Sequence, residues 1–322
     1  MKKTIKVMLA TLLAAGVMCA CNANAATDKT AEKLSIVTTI YPEYDWVMNI
    51  LGDKANNFDV TLLLDKGVDL HSYQPSAEDI MKITTCDVFV YVGGESDEWV
   101  DDALKQSSNS DMKVINLMDV MGDSAKEEEL KEGMQGEEEE EEEGEEEAEY
   151  DEHVWLSLKA AGRFCSEIEK AIEAKDPDNK DTYKANLDSY VKQIEELDKR
   201  YEDAVSSSNT KTLIFADRFP FRYMTEDYGL DYYAAFIGCS AETEASFETI
   251  SFLAGKVDEL KLKNIIVIES SDKKIAETVI DTTESKDQNI LVLDSLQSTD
   301  ENGTSYLKAM ETNLEVLKEA LK

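Results

Sequence analysis

The sequence predicts an α/β protein: two parallel-sheet α/β lobes joined by one long helix, with a cleft between the lobes. Three observations carry this reading. Strand-like and helix-like patterns alternate through both halves of the 322 residues, the arrangement expected of βαβ units. Between the halves, Tyr183, Leu187, Tyr190, Ile194, Leu197, Tyr201 and Val205 recur at spacings of three and four. They give one apolar stripe on an uninterrupted helix of about 29 residues, roughly 43 Å at 1.5 Å per residue. That is long enough to run along two lobes and join them. Finally, four polar side chains follow strand patterns, two in each half: His71, His153, Asp217 and Glu269.

The elements follow in order. "MKKTIKVMLATLLAAGVMCAC" has a basic start (Lys2, Lys3, Lys6) and an apolar stretch from Val7 to Ala20. It is laid out as a secretory signal and is too short for a spanning helix. "VMCAC" resembles a bacterial lipobox, with Cys21 as the residue to be lipidated and "NANA" as the alternative cleavage site. "LSIVTT" reads as a strand and "YPEYDWVMNILG" as a helix ended by Gly52. "FDVTLLL" is a buried strand followed by the loop "DKGVDLHSYQP". Ser76 caps a short helix, with Asp79 in capping-box position. "DVFVYVGG" is a strand, "DEWVDDALKQ" a helix and "MKVINL" a strand.

After Met118 the pattern breaks. Glu127 to Glu152 form an acidic loop, and eleven of the thirteen residues from Glu137 to Glu149 are Glu. Like charges at that density cannot pack, so the run is expected to be solvated, either as a solubilising insertion or as a weak cation trap. "LSLKAAGRFCSEIEKAIEAK" is a helix, and Asp176 with Pro177 starts the long one. The second half alternates again: "TLIFA", "FPFRYMTEDYG", "DYYAAF", "SFETISFLAGKVDELKLK", "NIIVIE", "DKKIAETVID", "NILVLD" and a closing helix "SYLKAMETNLEVLKEALK". The expected division is a signal at 1–20, an N-terminal lobe at 34–175 carrying the acidic loop 127–152, a linking helix at 176–207 and a C-terminal lobe at 208–322.

The formal net charge is −36. Such a surface repels nucleic acid and anionic membranes and concentrates cations. Beyond Cys21 only Cys86, Cys165 and Cys239 remain. This odd number is no disulfide framework, and the three read as buried small hydrophobes. Cys239 fits that reading least, because loop-like sequence surrounds it.

The chain holds two histidines. His71 lies in "GVDLHSYQPSAEDI" and His153 in "YDEHVWLS", each beside acidic residues. In open α/β sheets, ligands bind outside the carboxyl ends of the strands. A cleft gathering His71, His153, Asp217 and Glu269 would offer two imidazoles and two carboxylates, a reasonable set for a first-row divalent cation.

With these motifs the chain resembles the metal-binding solute-binding lipoproteins of ABC importers, the zinc and manganese group with two α/β lobes and one long linking helix. The likeness runs from about Leu34 to the C-terminus. "GVDLHSYQPSAEDI" is similar to the family's first ligand loop, with Leu70 where a proline is usual. "YDEHVWLSL" is similar to the second, with Glu152 in place of a proline. The charged loop before it is usually His-rich in zinc binders; here it is Glu-rich. The resemblance places the third ligand shortly before Tyr228, Gly229 and Leu230, where Arg218 stands. A guanidinium stays protonated and cannot coordinate. Asp217, one residue away, is the expected substitute, with water as the alternative; Glu269 stands at the place of the final carboxylate.

The resemblance implies an exported, membrane-anchored lipoprotein on the extracytoplasmic face. Its expected role is to capture Zn2+, or alternatively Mn2+, as transported ligand and deliver it to an ABC transporter permease; a monomer is expected. Nothing resembles a nucleophile elbow, a phosphate loop or an acid/base pair, so no reaction is expected. The competing readings are a metal-dependent hydrolase and a surface adhesin on the same scaffold.

Overall fold

The computed structural model describes residues 33–64, 68–136, 149–240, 244–297 and 304–322. The signal segment with Cys21 and the glutamate run at 137–148 lie outside the described residues. Alternation sets the architecture. In the first half, β1 (Leu34–Thr38), α1 (Tyr41–Leu51), β2 (Phe58–Leu62), α2 (Ala77–Thr85), β3 (Val88–Tyr91), α3 (Trp99–Lys105), β4 (Lys113–Asn116), α4 (Leu117–Met121) and α5 (Leu158–Lys175) follow one another. The long α6 (Lys180–Ser207) comes next. The second half runs β5 (Thr212–Arg218), α7 (Arg222–Tyr228), β6 (Asp231–Phe236), α8 (Phe247–Leu260), β7 (Asn264–Ile268), α9 (Lys274–Thr282), β8 (Asn289–Leu293) and α10 (Tyr306–Ala320).

Among the described residues the strands build two four-stranded sheets, ordered β2-β1-β3-β4 and β6-β5-β7-β8, with every pairing parallel. The halves share no defensible residue repeat, yet their strand order is the same. In each sheet the order reverses beside the first strand, and the crevice beyond the carboxyl ends at such a reversal is where α/β sheets bind ligands.

Local chemistry explains the ends. The Ser76 hydroxyl accepts from the Asp79 N–H while the Asp79 carboxylate accepts from the Ser76 N–H, completing the capping box of α2. The long helix starts later than Asp176 and Pro177 suggest. Pro177–Asn179 form a 3-10 turn, and α-geometry begins at Lys180. The buried face of α6 is Tyr183, Leu187, Tyr190, Ile194, Leu197, Tyr201 and Val205, the seven positions of the stripe. A buried tyrosine needs a partner for its hydroxyl. Tyr183 donates to Asp176 Oδ2 (2.6 Å), Tyr190 to Asp45 Oδ2 (3.0 Å) and Tyr201 to the Met310 carbonyl (2.6 Å). Those partners come from both halves, so α6 is packed inside one chain. One hydrophobic core, including Trp46, Trp155, Phe164, Phe215 and Tyr306, runs through both sheets' inner faces. Among the described residues no helix is long and apolar enough to cross a membrane.

The start of the acidic segment is ordered. Glu127 bridges Tyr150, and Gln135 bridges Phe236 at the edge of β6, where the Gln135 N–H donates to the Ala235 carbonyl (2.9 Å). Lys131 pairs with Asp231 (2.6 Å). Gly133, at φ +85°, lies so close to Phe252 that a Cβ would sit 2.0 Å from the ring. The segment thus straps the first half onto the second before the glutamate run begins.

Candidate metal centre

His71 sits in the 3-10 turn Leu70–Ser72 after β2, begun by Asp69, whose Oδ1 accepts the His71 N–H (3.0 Å). His153 ends the segment after α4 and immediately precedes the 3-10 turn Val154–Leu156. The two turns bring the imidazoles together, with the Nε2 atoms 3.1 Å apart. Zinc–nitrogen bonds of 2.0–2.1 Å at a tetrahedral angle would set two such atoms about 3.3 Å apart. The pair is therefore close to ligating geometry as it stands.

Each ring is held from behind. Asp151 Oδ1 accepts both the His153 N–H (2.9 Å) and Nδ1 (3.1 Å). That contact puts the ring proton on Nδ1 and leaves the Nε2 lone pair facing the partner ring. His71 Nδ1 lies 2.9 Å from Ser96 Oγ and 3.8 Å from Glu152 Oε2. Glu152 Oε1 accepts the Ser96 N–H (2.7 Å), while the buried Oε2 has no hydrogen-bond partner. Gly94 makes room for this carboxyl: at φ +83°, its Cβ would meet Glu152 Oε1 at 2.5 Å.

The electrostatics favour a neutral imidazole at His71. Burial, then His153 and Arg218, push His71 down to about 3, with Asp69 opposing. Burial raises Glu152 to about 7 against its bonds from Ser96. His153 is fully buried and His71 nearly so. The His71 imidazole is thus held in the neutral form that can ligate a metal.

The C-terminal half closes the site differently from the sequence expectation. Among the described residues, the cluster with ligand atoms within 4.8 Å of one another is His71, His153 and Cys239. Cys239 follows β6, and Gly238 beside it lies against the His153 ring, where a Cβ would be 3.0 Å from Cε1. The Cys239 N–H donates to Glu128 Oε1 (3.3 Å) in the strap. Burial, then Glu128, Asp151 and Glu152, hold its thiol well above the usual range. Gln297, after β8, places Nε2 3.2 Å from His153 Nε2 and 3.5 Å from His71 Nε2.

Asp217 and Glu269 stand outside that cluster. The pairing of β5 with β6 shifts register between Phe215 and Arg218. In this irregularity the Asp217 carboxylate accepts the Arg218 N–H (2.9 Å). The Arg218 guanidinium reaches across to Asp69 Oδ2 (2.8 Å) and the Ser240 carbonyl (3.4 Å). Glu269 accepts the Ser295 N–H (2.8 Å) and hydroxyl (2.7 Å). It thereby fixes the turn that carries Gln297. Trp155 Nε1 donates to the Ser295 carbonyl (2.8 Å), tying the same turn to the His153 segment.

Sequence reasoning missed Ser96, Cys239 and Gln297. The rule that ligands meet strand carboxyl ends would have flagged Gln297 after "NILVLD", and the loop setting of Cys239 already set it apart from Cys86 and Cys165.

The model of the family described as zinc-uptake complex component A, periplasmic, matches residues 36–320. The chain belongs to this family. The zinc-binding lipoprotein AdcA of Streptococcus pneumoniae (strain ATCC BAA-255 / R6) is 32% identical over 319 residues, covering 98% of this chain and 61% of that protein. The chain therefore spans about three fifths of that relative's length. The high-affinity zinc uptake system protein ZnuA of Bacillus subtilis (strain 168) is 32% identical over 297 residues, 91% of this chain and 89% of that one. The crystal structure of the Zn(II)-bound ZnuA-like domain of the pneumococcal AdcA superposes with a TM-score of 0.70 at 30% identity, over 90% of this chain and 99% of that one. The two-sheet architecture with a long connecting helix is the family's own.

Proposed function

We propose that this protein captures a divalent metal ion, zinc above manganese, outside the cytoplasm and delivers it to the permease of an ABC importer. The observation that carries the reading is the pair of imidazoles, 3.1 Å apart at Nε2 and each oriented from behind. Two nitrogen donors favour zinc over manganese by intrinsic order. The relatives' zinc-binding and zinc-uptake names support the same ion. His71 and His153 are the ligands in this reading. Asp217 and Glu269 already accept from the Arg218 N–H and from Ser295, respectively.

No turnover is part of this function: the ion is cargo. Export as a lipoprotein anchored through Cys21, and action as a monomer, complete the reading.

The test is metal content by mass spectrometry after purification without added metal, followed by zinc and manganese calorimetry. One tight zinc site is expected, lost in His71→Ala and in His153→Ala. Asp217→Ala and Glu269→Ala in the same series decide whether either carboxylate reaches the ion. A tight site that survives loss of both histidines would overturn the proposal.

A further inference from the structure

We infer that the third protein donor to the ion is the Cys239 sulfur, and that this makes the centre a two-imidazole, one-thiolate site selective for thiophilic metals. The inference rests on the metal-capture reading above and names a donor that the second half supplies to it.

The last position of β5 is closed to the ion. Arg218 stands there, and its guanidinium is a permanent cation with no lone pair to offer. It is engaged in an ion pair with Asp69 and a bond to the Ser240 carbonyl. Asp217 next to it faces its neighbour's N–H. The next strand in the same sheet, β6, provides the replacement. Its following loop passes over the His153 ring, so closely that a Cβ on Gly238 would lie 3.0 Å from Cε1. This contact delivers Cys239 Sγ to within 4.8 Å of a ligating nitrogen on both His71 and His153. Zinc bonds of about 2.3 Å to sulfur and 2.0–2.1 Å to nitrogen need a sulfur–nitrogen separation of about 3.6 Å, so closure by about 1 Å completes three corners of a tetrahedron. Gln297, whose amide lies 3.2 Å from His153 Nε2, borders the fourth. Turning that amide over presents its oxygen instead of its nitrogen.

Cys86 and Cys165 serve as the internal contrast. Both are buried in hydrophobic clusters, and neither belongs to a metal-capable group among the described residues. On binding, the sulfur–metal bond forms as the S–H bond breaks, and the proton leaves to solvent; nothing is oxidised or reduced. A thiolate at one corner selects zinc and other soft or borderline ions against manganese, which prefers oxygen.

Two readouts on the full-length protein test this. Zinc K-edge X-ray absorption of the unaltered protein is expected to show one sulfur at about 2.3 Å. Cobalt(II) loading is expected to give a near-ultraviolet sulfur-to-cobalt charge-transfer band that Cys239→Ser abolishes and Cys86→Ser leaves in place. Zinc affinity of Cys239→Ser should fall by about 100-fold, the upper end of what even an outer-shell loss costs, while manganese affinity stays level. A zinc shell of nitrogen and oxygen alone, with binding still lost in His71→Ala, overturns the thiolate and leaves the capture function standing. A charge-transfer band that persists in Cys239→Ser also overturns it. No stoichiometric zinc or cobalt at all would remove the capture reading itself. The absorption measurement needs no variant, so a misfolded Cys239→Ser cannot shelter the inference.

Discussion

On the N-terminal side of the centre, the turns after β2 and α4 hold two imidazoles at near-ligating separation, each backed by Asp151 or by Ser96 and Glu152. On the C-terminal side, the polar groups at the end of β5 and after β7 are engaged elsewhere: Arg218 with Asp69, Asp217 with a backbone N–H, Glu269 with Ser295. Both sheets have the same strand order, so topology alone does not produce the contrast. The first half presents two imidazoles already paired, whereas the second brings single groups, Cys239 and Gln297, up to them on loops. The first half should therefore fix the imidazole pair, and the second should complete the centre through the loop after β6 and the turn after β8.

Removing the support behind an imidazole is the strongest way to break this contrast short of removing a ligand. Asp151 carries two bonds to His153, one to the backbone and one to the ring. Asp151→Ala is expected to weaken zinc binding by about 10–100-fold, because the ring loses its tautomer and its orientation. A competition titration against a zinc dye measures it. Unchanged affinity would mean that the first half is not held by Asp151.

Next comes the turn after β8. If Glu269 acts through Ser295, then Glu269→Gln and Ser295→Ala should each cost about 10-fold or less, the low end for groups behind a ligand. Together they should cost no more than one alone, since groups in one network are non-additive. If Glu269 instead reaches the ion, its loss should exceed that of Ser295 and the two should add. Zinc dissociation constants for both singles and the double separate the cases.

Much of this arrangement was legible beforehand, and the limit has a physical cause. The seven buried residues of α6 follow from helical spacing, because a period of 3.6 writes itself into the sequence. The Ser76 and Asp79 cap is equally local. His71 and His153 stood out by rarity and by their place after strands. What could not be read is where loops return. Nothing local announces that the β5–β6 pairing slips around Asp217, or that the loop after β6 lies on the His153 ring. Nor does an acidic composition announce that residues 127–136 strap onto β6 through Gln135 and Lys131. Such contacts depend on partners about 100 residues away, and periodicity carries no information about them.

A smaller effect belongs to Arg218. It faces Asp69 across the centre at 2.8 Å and brings a permanent positive charge near the cation's place. Arg218→Gln should raise zinc affinity by about 5-fold or less, the size of a screened charge contact. The gain should shrink as salt is added. A loss of affinity would show that the Arg218–Asp69 pair is needed to position the His71 turn.

The smallest effect on the ion, and a test of why the first half is rigid, comes from Glu43. Its side chain is fully buried at the start of α1, where Oε2 accepts the N–H groups of Thr39 and Ile40 and the Thr39 hydroxyl. Oε1 has no partner. Burial, reinforced by Asp97, raises its carboxyl to about 8 from an ordinary 4.5, against the Thr39 and Ile40 bonds. The folded protein therefore keeps a proton that the unfolded chain gives up near pH 4.5. This contribution to stability is fully present below pH 4.5 and is lost as pH rises through about 8. Asp97, raised by burial to about 6, adds in the same direction over a lower window. The metal-free protein should lose melting temperature from pH 5 to pH 8, and Glu43→Gln should flatten that slope, since the amide keeps an acceptor oxygen and cannot ionise. Zinc affinity at pH 7 should hardly change, because Glu43 supports the β1 end of the sheet and not the imidazoles. Melting curves of the parent and Glu43→Gln between pH 5 and 8 decide it: parallel slopes would mean that Glu43 is not the group that keeps the proton.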